Sequence, residues 1–218
     1  MTASIKPPRP SSVSLGTLTA AHSSDLDDDH HHDGLDFAHV EVGARDLTGA
    51  VFLGCDLSGA RVDDARLRAV ELTDCRVNGL AATSLDAPES TWRRCELTGS
   101  RIGAATLHGG QWRQSTISGC KLSYVNLRGA SLVDVAFVDC VIEDLDLVDA
   151  HLERVAFTGC RVAELSVRAA RCVDVDLRGL DIGGIDDVGG LSGTLISVQQ
   201  LVELSGTMAS HLGVAVDD

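Results

Sequence analysis

Apolar residues recur along this chain every fifth position. In the stretch CKLSYVNLRGASL, Leu122, Leu127 and Leu132 carry the beat, and Cys120, Val125 and Ala130 sit two places before each. The residues between are mostly polar or Gly. A helix repeats at 3.6 and an ordinary strand at 2, so a period of five belongs to neither, and a fixed repeat decides the architecture. Stepping by five from Phe37 to Ile182 gives thirty positions, all apolar, in a chain that is 44% hydrophobic.

A second period lies on the first. Cys55, Cys75 and Cys95 are twenty residues apart, and so are Cys120, Cys140 and Cys160. Trp92 falls in line with Phe52, Leu72 and Trp112, and Phe137 with Phe157. Four units of five therefore close one coil, and positions twenty apart stack. With strands about 4.8 Å apart, the run predicts about 7 coils and a rod on the order of 36 Å long.

The units Ala50-x-Phe52, Ala60-x-Val62, Ala65-x-Leu67 and Ala130-Ser131-Leu132 resemble the A(D/N)LxG pattern of the pentapeptide-repeat family. The resemblance covers roughly residues 35 to 183. It implies an all-β solenoid, a right-handed quadrilateral parallel β-helix with one pentapeptide per side. The central residue and the small residue two before it would point inward.

Three regions follow: an N-terminal Pro/Ser- and Asp/His-rich tail (1–34), the repeat (35–183), and a linker with a C-terminal capping helix (184–218). In the tail, KPPRPSS reads as extended or disordered, and Val13, Leu15 and Leu18 could cover the open first coil. DLDDDHHHDG (25–34) invites a metal reading of His30, His31 and His32; against it stands a solvated acidic loop, and no metal is assigned. Arg45 holds a small inward position, marking a bulge or a place where a tail folds over. LAATSLDAPEST (80–91) is the weakest part of the repeat. There Pro88 removes a ladder donor, so a small loop is expected, with Leu85 turning inward beside it.

Beyond Ile182 the repeat stops. Ser197 to Gln200 reads as a capping box, and Val198, Leu201, Leu204, Met208 and Leu212 recur at helical spacing. That apolar face is expected to cap the last coil, and in the quinolone-resistance members of the family resembled here the homodimer contact lies at this end.

Trp92 and Trp112 read as a stacked core; a second reading exposes one indole beside Arg93, Arg94 and Arg113. Six cysteines take the small inward position and Cys172 a central one, which is where core filler sits. No phosphate-cradling Gly motif, G-x-S-x-G or H-E-x-x-H occurs. The sequence thus predicts no enzyme, no catalytic residue and no cofactor. It contains no apolar run of membrane-spanning length and no signal-peptide pattern at its start, so a cytoplasmic protein is expected. Sixteen Arg against two Lys, with much Ala and Gly, fits a GC-rich bacterial genome.

A net charge of −14 resembles that of the pentapeptide proteins of quinolone resistance, which mimic DNA and bind DNA gyrase. The resemblance implies a protein partner, gyrase first, a role in quinolone or toxin resistance, and no direct nucleic-acid binding. The charge is banded, however. Residues 93–128 hold six basic groups and one acidic, while 129–153 hold seven acids and no base. Those acids, Asp134, Asp139, Glu143, Asp144, Asp146, Asp149 and Glu153, fall on successive sides. They form a ring around the rod, where a DNA mimic wants a stripe along it. They are the candidate partner contacts, together with Arg93, Arg94 and Arg113. The alternative is a structural or protein-binding module with an unrelated partner.

Overall fold

The structure, a computed structural model, describes residues 5–28 and 30–217. It is a parallel β-solenoid of about nine turns closed by a C-terminal helix. Each turn takes twenty residues. Leu122 pairs with Ile102 on one side and with Ile142 on the other, and Trp112 pairs with Trp92 and Leu132. Four walls result, named here by their central residues. The first carries Phe52, Leu72, Trp92, Trp112 and Leu132. The second carries Leu97, Ile117, Phe137 and Phe157, and the third Ala82, Ile102, Leu122 and Ile142. The fourth carries Leu67, Leu107, Leu127 and Leu147. The third wall is a six-stranded sheet, and the first and second merge into one of twelve strands because Ser131–Val138 runs unbroken round their shared corner. The fourth wall is mostly a stack of turns joined by bridges such as Asp46 to Arg66.

The period of five is the period of burial. Of the thirty central positions all but Leu57, Cys172 and Ile182 are buried, and those three are half-buried. Inward residues of successive turns touch along the axis, so one apolar cluster runs from Ala21 and Leu26 to Leu204, as stacked repeats require. The last residue of many units takes a left-handed backbone. Gly fills it at Gly59, Gly99 and Gly129, while Asp74, Arg94, Asp134 and Arg154 adopt it with side chains. Gly adopts that conformation at no steric cost, which explains its recurrence at the corners.

The coil is longer than the thirty positions suggest. His31–Asp33 adds a strand to the first wall, with His32 aligned on Phe52. His32 is 2% exposed, with its ring 5.4 Å from Phe37 and 4.7 Å from Phe52. Strand alternation turns His31 and Asp33 outward and His32 into the core, which breaks up the expected acidic His loop. Among the described residues no group of three or more His, Cys, Asp or Glu could hold a metal ion; Asp29 lies outside them. At the other end Thr194–Leu195 pairs with Val175–Asp176 in a spacing of nineteen, so a count by twenties misses it.

The loop expected at 80–91 does not form. Ala81–Asp86 is a regular strand in register with Arg101–Thr106, and Leu85 is buried at an ordinary inward position. Pro88 loses nothing, because the N–H at its place is not a ladder donor. Its counterparts Thr48, Arg128 and Val148 give theirs to Asp46, Asn126 and Asp146 side chains. The neighbouring carbonyl still works: Pro88 O accepts from Ala69 N at 2.8 Å.

The N-terminal end is closed by Ala21 and Leu26, not by Val13, Leu15 and Leu18. A short helix, Asp25–Asp28, brings Leu26 over the core. Arg45 holds it there, donating from Nε and Nη2 to Asp27 and from Nη1 to Val42 O at 2.6 Å. Arg45 therefore marks a tail folded over the end.

Candidate interaction surfaces

Two interior voids, about 50 and 20 Å³, are lined by apolar side chains alone. The six stacked cysteines are buried. Five of the thiols donate to carbonyls of the previous turn, as Cys75 Sγ does to Phe52 O at 3.3 Å, while Cys160 Sγ donates to Thr158 O. Burial pushes the Cys172 thiol up to about 11, so it stays protonated and inert at neutral pH. Trp92 and Trp112 stack with ring centroids 4.5 Å apart and 5° between planes, each 3% exposed, which rules out the reading with one indole at the surface. Trp92 Nε1 donates to Ser90 Oγ at 2.9 Å; Trp112 Nε1 has no partner, because Gly110 stands where Ser90 stands one turn earlier.

On the outside, stacked neighbours are twenty residues apart, and five of the charge pairs follow that spacing. Arg94 holds Asp74 with two bonds of 2.6 Å, and Arg154 holds Asp134 with bonds of 2.7 and 2.8 Å. The hydrogen-bonded guanidinium keeps each carboxyl below the usual carboxylate range. Arg76 meets Asp56 and Arg161 meets Asp181 in the same way.

This rule remakes the acid band. Its seven carboxylates do encircle the rod, but three are already met. Asp134 has Arg154, Glu153 touches Arg154 and lies 4.0 Å from His151, and Asp146, 5% exposed, takes Arg128 Nε at 2.5 Å. Among the described residues Asp139, Glu143, Asp144 and Asp149 have no ion pair; all but the half-buried Asp144 are exposed. Next to the band Tyr124 is partly exposed, its phenol pushed up by burial and by the Asp146 and Asp144 charges.

The basic belt also divides. Arg94 is spent on Asp74. Arg93 and Arg113 lie outward on adjacent turns of the first wall, with no ion pair among the described residues. Sequence inspection missed a second such pair, Arg101 and Lys121, stacked on the third wall beside Gly103 and Ser123. They border an open groove of about 610 Å³ that ends at Asp63 and Glu143. Their spacing of twenty was the available signal.

At the C-terminal end the helix Val198–His211 opens on a complete capping box between Ser197 and Gln200. Its inner face is led by a polar residue. Gln200 Nε2 donates to Leu177 O and Leu180 O, each at 2.7 Å, and Leu204 and Met208 follow it onto the core. The expected single apolar stripe is thus split. Leu204 and Met208 cap the rod, while Val198, Leu201 and Leu212 face away, joined by Val202, at 79, 49, 75 and 67% exposure. Gln200 is inside because the last turn ends in carbonyls that need donors.

Comparison with known proteins agrees on the repeat. Trypsin-treated QnrB1, a plasmid-mediated fluoroquinolone resistance protein, is 16% identical, covering 86% of this chain and 92% of its own, with a TM-score of 0.29. HetL, a pentapeptide-repeat protein involved in heterocyst differentiation regulation in the cyanobacterium Nostoc, is 15% identical, covering 79% and 93%, with a TM-score of 0.29. No curated protein matches. Two family descriptions match the sequence itself: a pentapeptide repeat region over residues 110–186, and pentapeptide repeats in eight copies over residues 43–79. Together they span more than half of the chain, and the stretch between them keeps the same register in the structure. The chain belongs to the pentapeptide-repeat family.

Proposed function

We propose that this protein is a non-catalytic scaffold that works as two rods joined end to end and binds another protein along their outer surface. The observation that carries the reading is the outer face of the C-terminal helix. Val198, Leu201 and Val202 form an apolar patch on an element whose other face already closes the rod, with Leu212 exposed at the far end of the helix. Contiguous exposed apolar surface of this kind is how protein interfaces announce themselves. Fourteen residues make a helix about 21 Å long, and Val214 and Val216, also exposed, extend the patch beyond it. Helix against helix falls at the low end of stable interface sizes, so the pairing is expected to be reversible.

DNA gyrase is the partner that the family resemblance puts first, with the rod in the role of a DNA mimic conferring quinolone or toxin resistance. The reading places the protein in the cytoplasm, where its seven thiols stay reduced. The test is a gyrase supercoiling assay with the purified full-length chain. Inhibition, or protection of gyrase from a quinolone, at micromolar protein supports that partner. Charge reversal at Asp139, Glu143 and Asp149 should then remove the effect. The partial neutralisation of the acid band by Arg128 and Arg154 favours the second reading, a partner unrelated to topoisomerases. No effect on gyrase at micromolar protein selects it.

A further inference from the structure

Residues 5–18 do not hang free of the rod. They run back along the corner between the first and second walls, tied at widely spaced turns. Thr19 N donates to Gly34 O at 3.0 Å, Val13 N to Glu96 Oε1 at 3.0 Å, Ser11 N to Gln114 O at 3.0 Å and Arg9 N to Asp134 Oδ1 at 3.2 Å. From Gly34 to Asp134 is five turns, on the order of 24 Å. Ten residues of extended chain span that distance, and Pro7, Pro8 and Pro10 keep the segment extended.

The site beneath is built for such a segment. Glu96 and Asp134 supply carboxylate acceptors thirty-eight residues, hence nearly two turns, apart, and the Gln114 carbonyl stands between them. The Arg9 charge adds to the forces that hold the Asp134 carboxyl down. Val13, 8% exposed, is the only fully buried side chain of the segment. Alongside, an open groove of about 440 Å³ is bounded by Pro10, Ser12, Glu96, Thr98, Thr116 and Ser118. Beside the strap the second wall carries small uncharged groups outward at Thr98, Thr116, Ser118, Ala136, Val138 and Ala156, with the Asp139 carboxylate at its corner.

The hold is slight. Three hydrogen bonds and one buried side chain secure residues 5–18, and most of their surface faces water. A segment with so few contacts opens at the low end of a protein's stability range. We propose that this corner is a docking groove for an extended, proline-containing segment of a partner protein, closed in cis by residues 5–18. The incoming segment must offer a small apolar side chain where Val13 sits and a free backbone N–H four residues before it, where Arg9 donates to Asp134. The tethered strap competes at high effective concentration, so it lowers the affinity of the groove for any partner until it is displaced. This proposal goes beyond the pairing of rods and is independent of the C-terminal helix.

The test uses the full-length chain and a fluorescein-labelled peptide of residues 5–18, read by anisotropy. In the variant Arg9→Glu with Val13→Asp the strap is released without touching the coil. The peptide should bind that variant at least tenfold more tightly than it binds the wild type. Adding Glu96→Gln and Asp134→Asn should return binding to the wild-type level or below, with an unfolding curve showing that the rod is intact. Hydrogen exchange should show the Ser11 and Val13 amides protected in the wild type and unprotected in the released variant. Equal peptide binding to wild type and released variant, no binding to the released variant, or unprotected Ser11 and Val13 amides in the wild type would each overturn the proposal.

Discussion

The two ends of the rod solve one problem differently. A stack of parallel turns leaves an apolar cross-section and a row of unpaired backbone groups at each end, and both must be covered. At the N-terminal end Leu26 drops onto the core, Arg45 and Asp27 clamp it from outside, and the surface left behind is polar. At the C-terminal end a whole helix is used. Gln200 meets the last carbonyls and Leu204 covers the core, yet the opposite face stays apolar. The first end is finished; the second is closed toward the core and stays apolar toward solvent. On the proposed reading, capping and association are separate tasks, assigned to opposite faces of one helix.

The contrast can be broken residue by residue. The largest effect should come from Leu204→Ala, which removes the apolar plug of the C-terminal end and should cost about 2–3 kcal/mol, read by urea unfolding at fixed protein concentration. Gln200→Ala strips two buried carbonyls of their donor and removes the Ser197 N–H acceptor of the capping box, for a loss of about 1–2 kcal/mol. Leu201→Glu with Val202→Glu should move unfolding of the single chain by less than about 0.5 kcal/mol while abolishing association. A comparable loss of stability would place those side chains in the cap.

The smallest effect belongs to the N-terminal clamp. Hydrogen bonding to Arg45 lowers the Asp27 pKa. A carboxyl whose pKa is lowered by folding contributes stability that is present above its ordinary value, 3.8, and is lost as pH falls through the lowered one. Arg45→Ala should therefore lower the melting temperature slightly at neutral pH, and leave it unchanged at the acid extreme where Asp27 is already protonated. A drop of equal size at both extremes would mean that the Val42 contact, and not the ion pair, does the clamping.

How far the sequence could be read follows from where the contacts lie. The inward pattern is written in steps of five and stacked in steps of twenty, so the walls, the cysteine columns and the tryptophan stack were all legible. Charge was not, as long as it was counted along the chain: the acid-only window 129–153 hid Arg154 and Arg128, which reach Asp134 and Asp146 from the edges of that window. Counting at twenty would have exposed the Arg154 pair and also Arg101 with Lys121. Pro88 misled because its missing N–H matters only if that N–H faces a neighbouring turn, and it does not. His32 hid because an imidazole in a polar run does not look like core. Gln200 and the strap were out of reach for a common reason: each is bound through carbonyls and carboxylates, which leave no periodic trace in the residues they serve.

Sedimentation equilibrium of the full-length chain tests the end-to-end pairing most directly, run beside the Leu201→Glu, Val202→Glu variant. The account predicts that wild type approaches twice the chain mass of 22.9 kDa as concentration rises, while the variant stays at the single-chain mass. A wild type that stays at the single-chain mass up to its solubility limit, or a variant that pairs as the wild type does, would contradict it.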